Sequence, residues 1–133
     1  MVGIQQKITL IKRDWSPVLA AGLLRAMWPN AKEISSEIIT GDCVLFEVVN
    51  HGLLVIRLEQ DNGRKTLVVV AAQGINAGPV MDAYVQIAKA YQADAVRTHT
   101  ARKGVGRWLE KRGFSVDGKD KGGFVIYGRI VEK

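Results

Sequence analysis

A chain of 133 residues, 47% apolar and 24% charged, has the length and composition of one globular domain, spanning 1–133, with enough apolar side chains for a real core. The formal net charge of +6 favours an anionic partner, and no apolar run approaches the roughly 20 residues that a membrane helix needs. The opening Met-Val-Gly-Ile-Gln-Gln-Lys shows no secretory-type apolar stretch and the single Cys43 has no intramolecular disulfide partner, so a reducing, cytoplasmic setting is expected, with Cys43 as a small buried hydrophobe.

Residues 7–12 are rich in β-branched side chains and predict a first strand. Ser16 reads as an N-cap with Pro17 at the first helical position. Leu19, Leu23 and Met27, and beside them Ala20, Leu24 and Trp28, then recur at helical spacing as far as Pro29-Asn30. Residues 31–40 predict a weaker helix with Ile34, Ile38 and Ile39 on one face, broken by Gly41-Asp42. Strands follow at 43–49, 53–59 and 65–72, separated by turns at Asn50-His51-Gly52 and Asp61-Asn62-Gly63. The third of these strands is apolar throughout, as in a strand buried on both faces. Gly78-Pro79 opens a long helix whose core face is Val80, Tyr84, Ile87, Ala88 and Tyr91, and Gln92-Ala93-Asp94 ends it. A strand at 95–100, a helix at 104–112 stopped by Gly113, and a last strand within 122–131 complete the chain. The order β-α-α-β-β-β-α-β-α-β predicts a mixed α/β layer with helices packed on a twisted sheet.

The sharpest chemical candidate lies where the third meander strand runs into the long helix, at Gln73-Gly74-Ile75-Asn76-Ala77-Gly78. Small residues at 74, 77 and 78 let a ligand approach the backbone, and Asn76 tolerates positive φ. The helix's first N–H groups and its dipole favour an anion there, although Pro79 offers no N–H. The competing reading is a plain strand-to-helix connection. The charge is also uneven. Residues 95–121 hold eight cations (Arg97, Arg102, Lys103, Arg107, Lys111, Arg112, Lys119, Lys121) against Glu110, Asp117 and Asp120, a net +5. This stretch suits a phosphorylated cofactor, a nucleic acid or an acidic protein, or is a solvated surface. Trp15, Trp28 and Trp108 read as core or helix-packing residues rather than a base-stacking platform. No Cys/His cluster has metal spacing, and no Walker-type or nucleophile-elbow motif occurs, so no metal is expected.

The element order and two phrases resemble the GNAT N-acetyltransferase superfamily. That family carries Gln/Arg-x-x-Gly-x-Gly/Ala at this strand-to-helix loop; Gln73 matches its first position and Gly78 its last, while Asn76 stands in place of the middle glycine. Trp108-Leu109-Glu110-Lys111-Arg112-Gly113-Phe114 resembles the family's Leu-Tyr-x-x-x-Gly-Phe ending of its fourth helix. The resemblance implies acetyl-CoA as cosubstrate and an amine of unknown identity as acceptor. It implies that the strand before the loop parts from the next one and pairs with the pantetheine arm through Leu67, Val69, Val70 and Ala71. The loop amides from Gly74 to Gly78 then hold the pyrophosphate, and Arg102 or Lys103 meets a CoA phosphate. It also implies a possible homodimer through the C-terminal strand.

The catalytic half departs from the pattern. Leu109 stands where the family often has a tyrosine acid, and Arg102 where many members have an asparagine. Glu47, Glu59 and His99 remain as base candidates, each also readable as an ordinary outward or satisfied residue, and Tyr127 on the last strand as a possible proton donor. Three functions are therefore expected to compete. One is an acetyl-CoA-dependent N-acetyltransferase. Another is a non-catalytic relative of the same fold, such as the small divergent versions found among bacteriophage proteins. The third is a nucleic-acid-binding module using the 95–121 face.

Overall fold

The computed structural model describes residues 8–27, 30–74 and 77–132; Lys7, Trp28, Pro29, Ile75 and Asn76, named above, lie outside the described residues. The order is β1 (Leu10–Arg13), α1 (Pro17–Met27), α2 (Ala31–Thr40), β2 (Val44–Val48), β3 (Gly52–Asp61), β4 (Arg64–Gly74), α3 (Ala77–Ala90), β5 (Ala95–Thr100), α4 (Lys103–Lys111), β6 (Ser115–Lys119) and β7 (Val125–Ile130). The seven strands among the described residues join one sheet in the order β1-β2-β3-β4-β5-β7-β6. Every pairing is antiparallel except β4 with β5, which α3 connects as a crossover.

The local chemistry explains the boundaries. Ser16 Oγ accepts the Leu19 N–H at 3.2 Å and so caps α1 ahead of Pro17. Gly41 takes φ 91° and closes α2 with its N–H on the Ile38 carbonyl. Asn62 and Gly63, at φ 52° and 76°, form the two-residue turn that joins β3 to β4, where both central residues need positive φ. Gly113 at φ 84° ends α4 in a Schellman arrangement: its N–H meets the Glu110 carbonyl and the Phe114 N–H reaches the Leu109 carbonyl.

One expected feature is corrected. Between α4 and the last strand stands a further strand, β6, paired to β7 through a register shift between Val116 and Gly118. Its sequence, Ser-Val-Asp-Gly-Lys, lies at the sheet edge with four of five residues exposed, so no face of it is selected for apolar side chains.

The sheet separates two apolar layers. On one side α3 and α4 pack Val80, Met81, Tyr84, Ile87 and Leu109 against Leu54, Ile56, Leu67, Val69, Val96 and Tyr127. On the other, α1 and α2 bring Leu23, Met27 and Ile34 onto Leu45, Val55 and Ala71. Each fully buried aliphatic side chain contributes about 1.5–3 kcal/mol relative to exposure. Among the described residues no helix is long and apolar enough to cross a membrane.

Candidate functional site

The sheet is open at one place. β4 and β5 pair from Thr66↔Ala95 to Val69↔Thr98 and no further. Yet β4 continues to Gly74 along β3, and β5 continues to Thr100 along β7. Each strand is held by its outer neighbour while the two part from one another. A β-bulge falls at the same level: Val55 opposes Ala71 and Ile56 opposes Val69, which leaves Val70 as the extra residue. Beyond Val69 the edge of β4 that faces β5 therefore has no strand partner among the described residues.

Helices α3 and α4 both begin at this end of the sheet, because each follows directly from one of the two parting strands. Their positive dipole ends lie on the same side. Between them runs an apolar groove of about 430 Å³ lined by Ala77, Met81, Arg102, Gly104, Val105 and Trp108. Trp108 is 46% exposed and forms a wall of the groove, taking the helix-packing place expected of it rather than a core one. The Arg112 guanidinium sits 5.4 Å from the centre of its ring while Arg112 Nε donates to Asp82 at 2.8 Å, which ties the two helices together. Arg102 precedes α4 in an extended conformation, exposed at the groove mouth, and Lys103 is exposed beside it.

The residues of the 73–78 loop divide. Gln73 and Gly74 end β4 with exposed side-chain positions, and Ala77 and Gly78 form the first turn of α3. The glycines are small because of the chain itself. A Cβ on Gly74 would run into the His51 carbonyl oxygen and lie 2.9 Å from Val80 Cγ2. One on Gly78 would lie 2.8 Å from Arg112 Nη2 and 3.3 Å from Trp108 Cζ3. At these two glycines the room for a side chain is therefore taken by the chain's own atoms. Along β4, Leu67 is fully buried inside the paired register, Val69 is in the last pair, and Val70 and Ala71 lie in the open part.

The base candidates also separate. Glu47 is on β2, two strands from β4 and level with Gln73 through Leu53, and accepts from Arg13 Nε at 2.8 Å. Glu59 lies level with Thr66 in the closed part of the sheet, and its carboxylate is shared by Arg57 at 3.3 Å and Arg97 at 2.5 Å. His99 alone stands at the opening, one residue past the last β4–β5 pair. Its Nδ1 lies 2.8 Å from Asp120 Oδ2, and its Nε2 is enclosed by protein without a hydrogen-bond partner. The bond to His99 is the main cause that holds the Asp120 carboxyl below its ordinary value, with the backbone N–H groups of Phe124 and Gly122 adding to it. Tyr127 is buried across from Thr98, its hydroxyl pressed under Gly106 of α4. The 95–121 cations do not make one face: Arg97 is bound to Glu59 on the far side of the sheet and Arg112 to Asp82.

No family model matches the sequence, and no curated protein is similar to it. Solved structures are similar to it in shape. An aminoglycoside 6'-N-acetyltransferase from Enterococcus faecium superposes with a TM-score of 0.70 at 12% identity, over 94% of this chain and 98% of that one. A Bacillus subtilis acetyltransferase in complex with CoA gives 0.68 at 14%, over 95% and 100%. A GNAT family acetyltransferase from Elizabethkingia anophelis with acetyl-CoA bound gives 0.67 at 14%, over 96% and 100%. The chain has the GNAT acetyltransferase fold.

Within the GNAT fold the two departures seen in the sequence have physical consequences. Leu109 is 1% exposed and packs in the α3/α4 layer, so this position of α4 presents no proton donor to the groove. Arg102 puts a cation where the resemblance led one to expect an amide. Sequence reasoning missed Trp108 and Met81 as groove walls, because helical spacing alone does not tell a half-open face from a closed one. It also missed Asp120, which sits after an unrecognised strand in a run of Gly, Lys and Asp.

Proposed function

We propose that this protein is an acetyl-CoA-dependent N-acetyltransferase acting on an amine. The observation that carries the reading is the parting of β4 and β5 beyond Val69↔Thr98, with the Ala77–Trp108 groove leading to it. An extended amide-bearing arm laid along the free edge of Val70 and Ala71 recovers the ladder bonds that β5 no longer makes. The arm's apolar stretches fit the groove walls, and its phosphates reach the starts of α3 and α4 near Arg102 and Lys103. Gln73, Gly74, Ala77 and Gly78 take part through backbone N–H groups, together with Ile75 and Asn76, because side-chain space at the two glycines is already filled. Leu67 and Val69 support this edge from within the core. At the opening a backbone N–H of the parted strand polarises the thioester carbonyl, and the amine attacks it directly.

Isothermal titration with acetyl-CoA tests the reading, followed by CoA-thiol release against a panel of primary amines: an aminoglycoside, a polyamine and an amino-acid amide. Micromolar binding and amine-dependent thiol release are expected, and R102A/K103A weakens binding about tenfold, as loss of one or two phosphate contacts costs about 1.4 kcal/mol. Absence of heat at saturating acetyl-CoA sinks it. One observation favours the non-catalytic alternative, the buried Leu109 in place of an acid. Binding without turnover of any amine decides for that alternative.

A further inference from the structure

The sheet sorts the charges of residues 95–121. Cross-strand partners share a face of the sheet, and successive residues of a strand alternate between faces. Lys119 pairs with Val125, which packs on the α3/α4 layer beside Tyr127, so Lys119 stands on the α4 side. His99 and Gly128 belong to the opposite face. The acids of the segment go to that face: Asp120 Oδ2 meets His99 Nδ1, and Asp117 lies over Gly128, where an added Cβ would overlap its carboxylate. Arg97 is there too, bound to Glu59. On the α4 side Arg112 is held by Asp82, which leaves Lys103, Arg107, Lys111 and Lys119 exposed, with Glu110 as the one acid of the segment among them.

Lys103, Arg107 and Lys111 recur every four residues along α4, away from the buried Gly106 and Leu109. Successive cations of the row stand about 6 Å apart along the helix axis. Among the described residues no acid pairs with any of the three, or with Lys119. The row works against its own helix. Both of its i,i+4 pairs are like-charged, and Lys103 stands in a first turn that holds no acid, where the dipole disfavours a cation. Local rules broken together in one place mark a surface kept for an anionic partner. A ring borders the row. Trp108 is 46% exposed, and one turn before it Gly104 has nothing within 4 Å of an added Cβ, so the indole is open to approach from the row. Phe124, 44% exposed, directly precedes Val125, the partner of Lys119.

We propose that the outward face of α4 binds a single-stranded nucleic acid. Lys103, Arg107 and Lys111 take phosphates of its backbone, Lys119 takes a further one, and the Trp108 indole stacks on an unpaired base. A single strand is flexible enough to follow cations set one helical turn apart, and every base offers the ring a π-face. A duplex keeps its base faces stacked inside, and an acidic peptide gives the indole nothing to stack on. The acetyl-transfer reading draws on Arg102 and Lys103 at the groove mouth. Arg107, Lys111 and Lys119 lie outside that machinery, so this surface stands without that reading.

The test is fluorescence anisotropy of the full chain with a labelled oligothymidine of about twelve nucleotides, a length within the usual site sizes. Wild type binds with a Kd of about 10 µM at ~50 mM salt. Four phosphate contacts give a slope of about −2.8 in log affinity against log salt, so binding weakens about fiftyfold by ~200 mM. R107Q/K111Q keeps good helix formers at exposed positions and halves the slope to about −1.4, a sevenfold weakening over the same range, with Tm unchanged. W108L weakens binding by about fivefold or more at fixed salt and leaves the slope as it was. No binding at ~50 mM salt, or a slope indifferent to R107Q/K111Q, overturns the proposal. So does equal affinity for the duplex, or for a polyglutamate of the same charge, which assigns the face to an acidic protein instead. Oligothymidine binding without acetyl-CoA binding sinks the acetyl-transfer reading alone, and the reverse sinks this surface alone. Should R107Q/K111Q not fold, K111Q/K119Q carries the slope measurement.

Discussion

Replacing Gly106 by alanine tests whether α4 is seated on Tyr127. In a helix interior alanine is worth about 1 kcal/mol more than glycine, so a Gly106 facing solvent predicts stabilisation. The geometry predicts the reverse. The added Cβ would overlap the Tyr127 hydroxyl and lie 2.9 Å from Cζ and 3.4 Å from Cε2. Tyr127 is 8% exposed and its strand is held by β5 on one side and β6 on the other, so the ring has little freedom to yield. Overpacking at such a site costs about 1–3 kcal/mol, and the rigid surroundings argue for the upper end. Offsetting ~3 kcal/mol by the ~1 kcal/mol of propensity leaves a loss of about 2 kcal/mol. With an unfolding entropy near 2.1 cal/mol/K per residue, 133 residues give roughly 0.28 kcal/mol/K, so Tm falls by about 7 °C. Calorimetric unfolding of wild type, G106A, Y127F and G106A/Y127F closes a double-mutant cycle. The phenylalanine removes the worst overlap and recovers about half of the loss, a coupling of about 1 kcal/mol. A G106A variant with a raised Tm, or additive effects, refutes the seating of α4.

Two further outcomes follow from titrating groups. Burial, then the bond to the Glu37 carboxylate, pushes the Cys43 thiol up to about 12, so the native protein at pH 8 reacts slowly with an aromatic disulfide reagent and releases one thiol equivalent on denaturation. Because the folded value is raised, this contribution to stability is whole below the unfolded value near 8.5 and declines as pH rises towards 12; C43A removes that alkaline limb. Asp120 is the opposite case. Its folded value is lowered, so its contribution is present above the ordinary aspartate range and is lost as pH falls through the folded value. D120N flattens the acid limb of the Tm-against-pH curve, and an unchanged limb means that the His99 contact does not form in solution.

The elements that were legible in the sequence are those whose signal is local or doubled. Ser16-Pro17, Gly41, Asn62-Gly63 and Gly113 each mark a cap or turn by backbone chemistry that tolerates few substitutes. β4 was legible because burial on both faces makes it apolar at every position from Leu67 to Ala72. β6 was not, because an exposed edge strand with a glycine at φ 139° carries no periodic pattern. The parting of β4 from β5 could be expected only through the family resemblance. It depends on where pairing ends, a property of two segments about thirty residues apart, and on a bulge that leaves no mark in the run of valines. The site divides in the same way. Arg102 was placed at the groove mouth by position, whereas the His99–Asp120 contact joins residues 21 apart across a strand that the pattern hid.

The leaving group and the attacking amine make unequal demands on the chain. A CoA thiol ionises near 8.5 like other thiols, so thiolate leaves readily near neutral pH and gains little from a protein acid. An attacking amine is mostly an ammonium under the same conditions, with an ordinary value near 10.4, and cannot attack until it has lost a proton. Loss of the α4 acid to Leu109 is therefore tolerable. Tyr127 is the remaining hydroxyl near α4, but it is held under Gly106 and buried in the layer, where it supports the helix. Y127F accordingly retains kcat within about twofold, read as CoA-thiol release at saturating acetyl-CoA. If Y127F instead falls by ~10²-fold or more, with acetyl-CoA affinity and Tm preserved, proton donation from the groove side governs the rate and the structural role argued for Tyr127 is wrong.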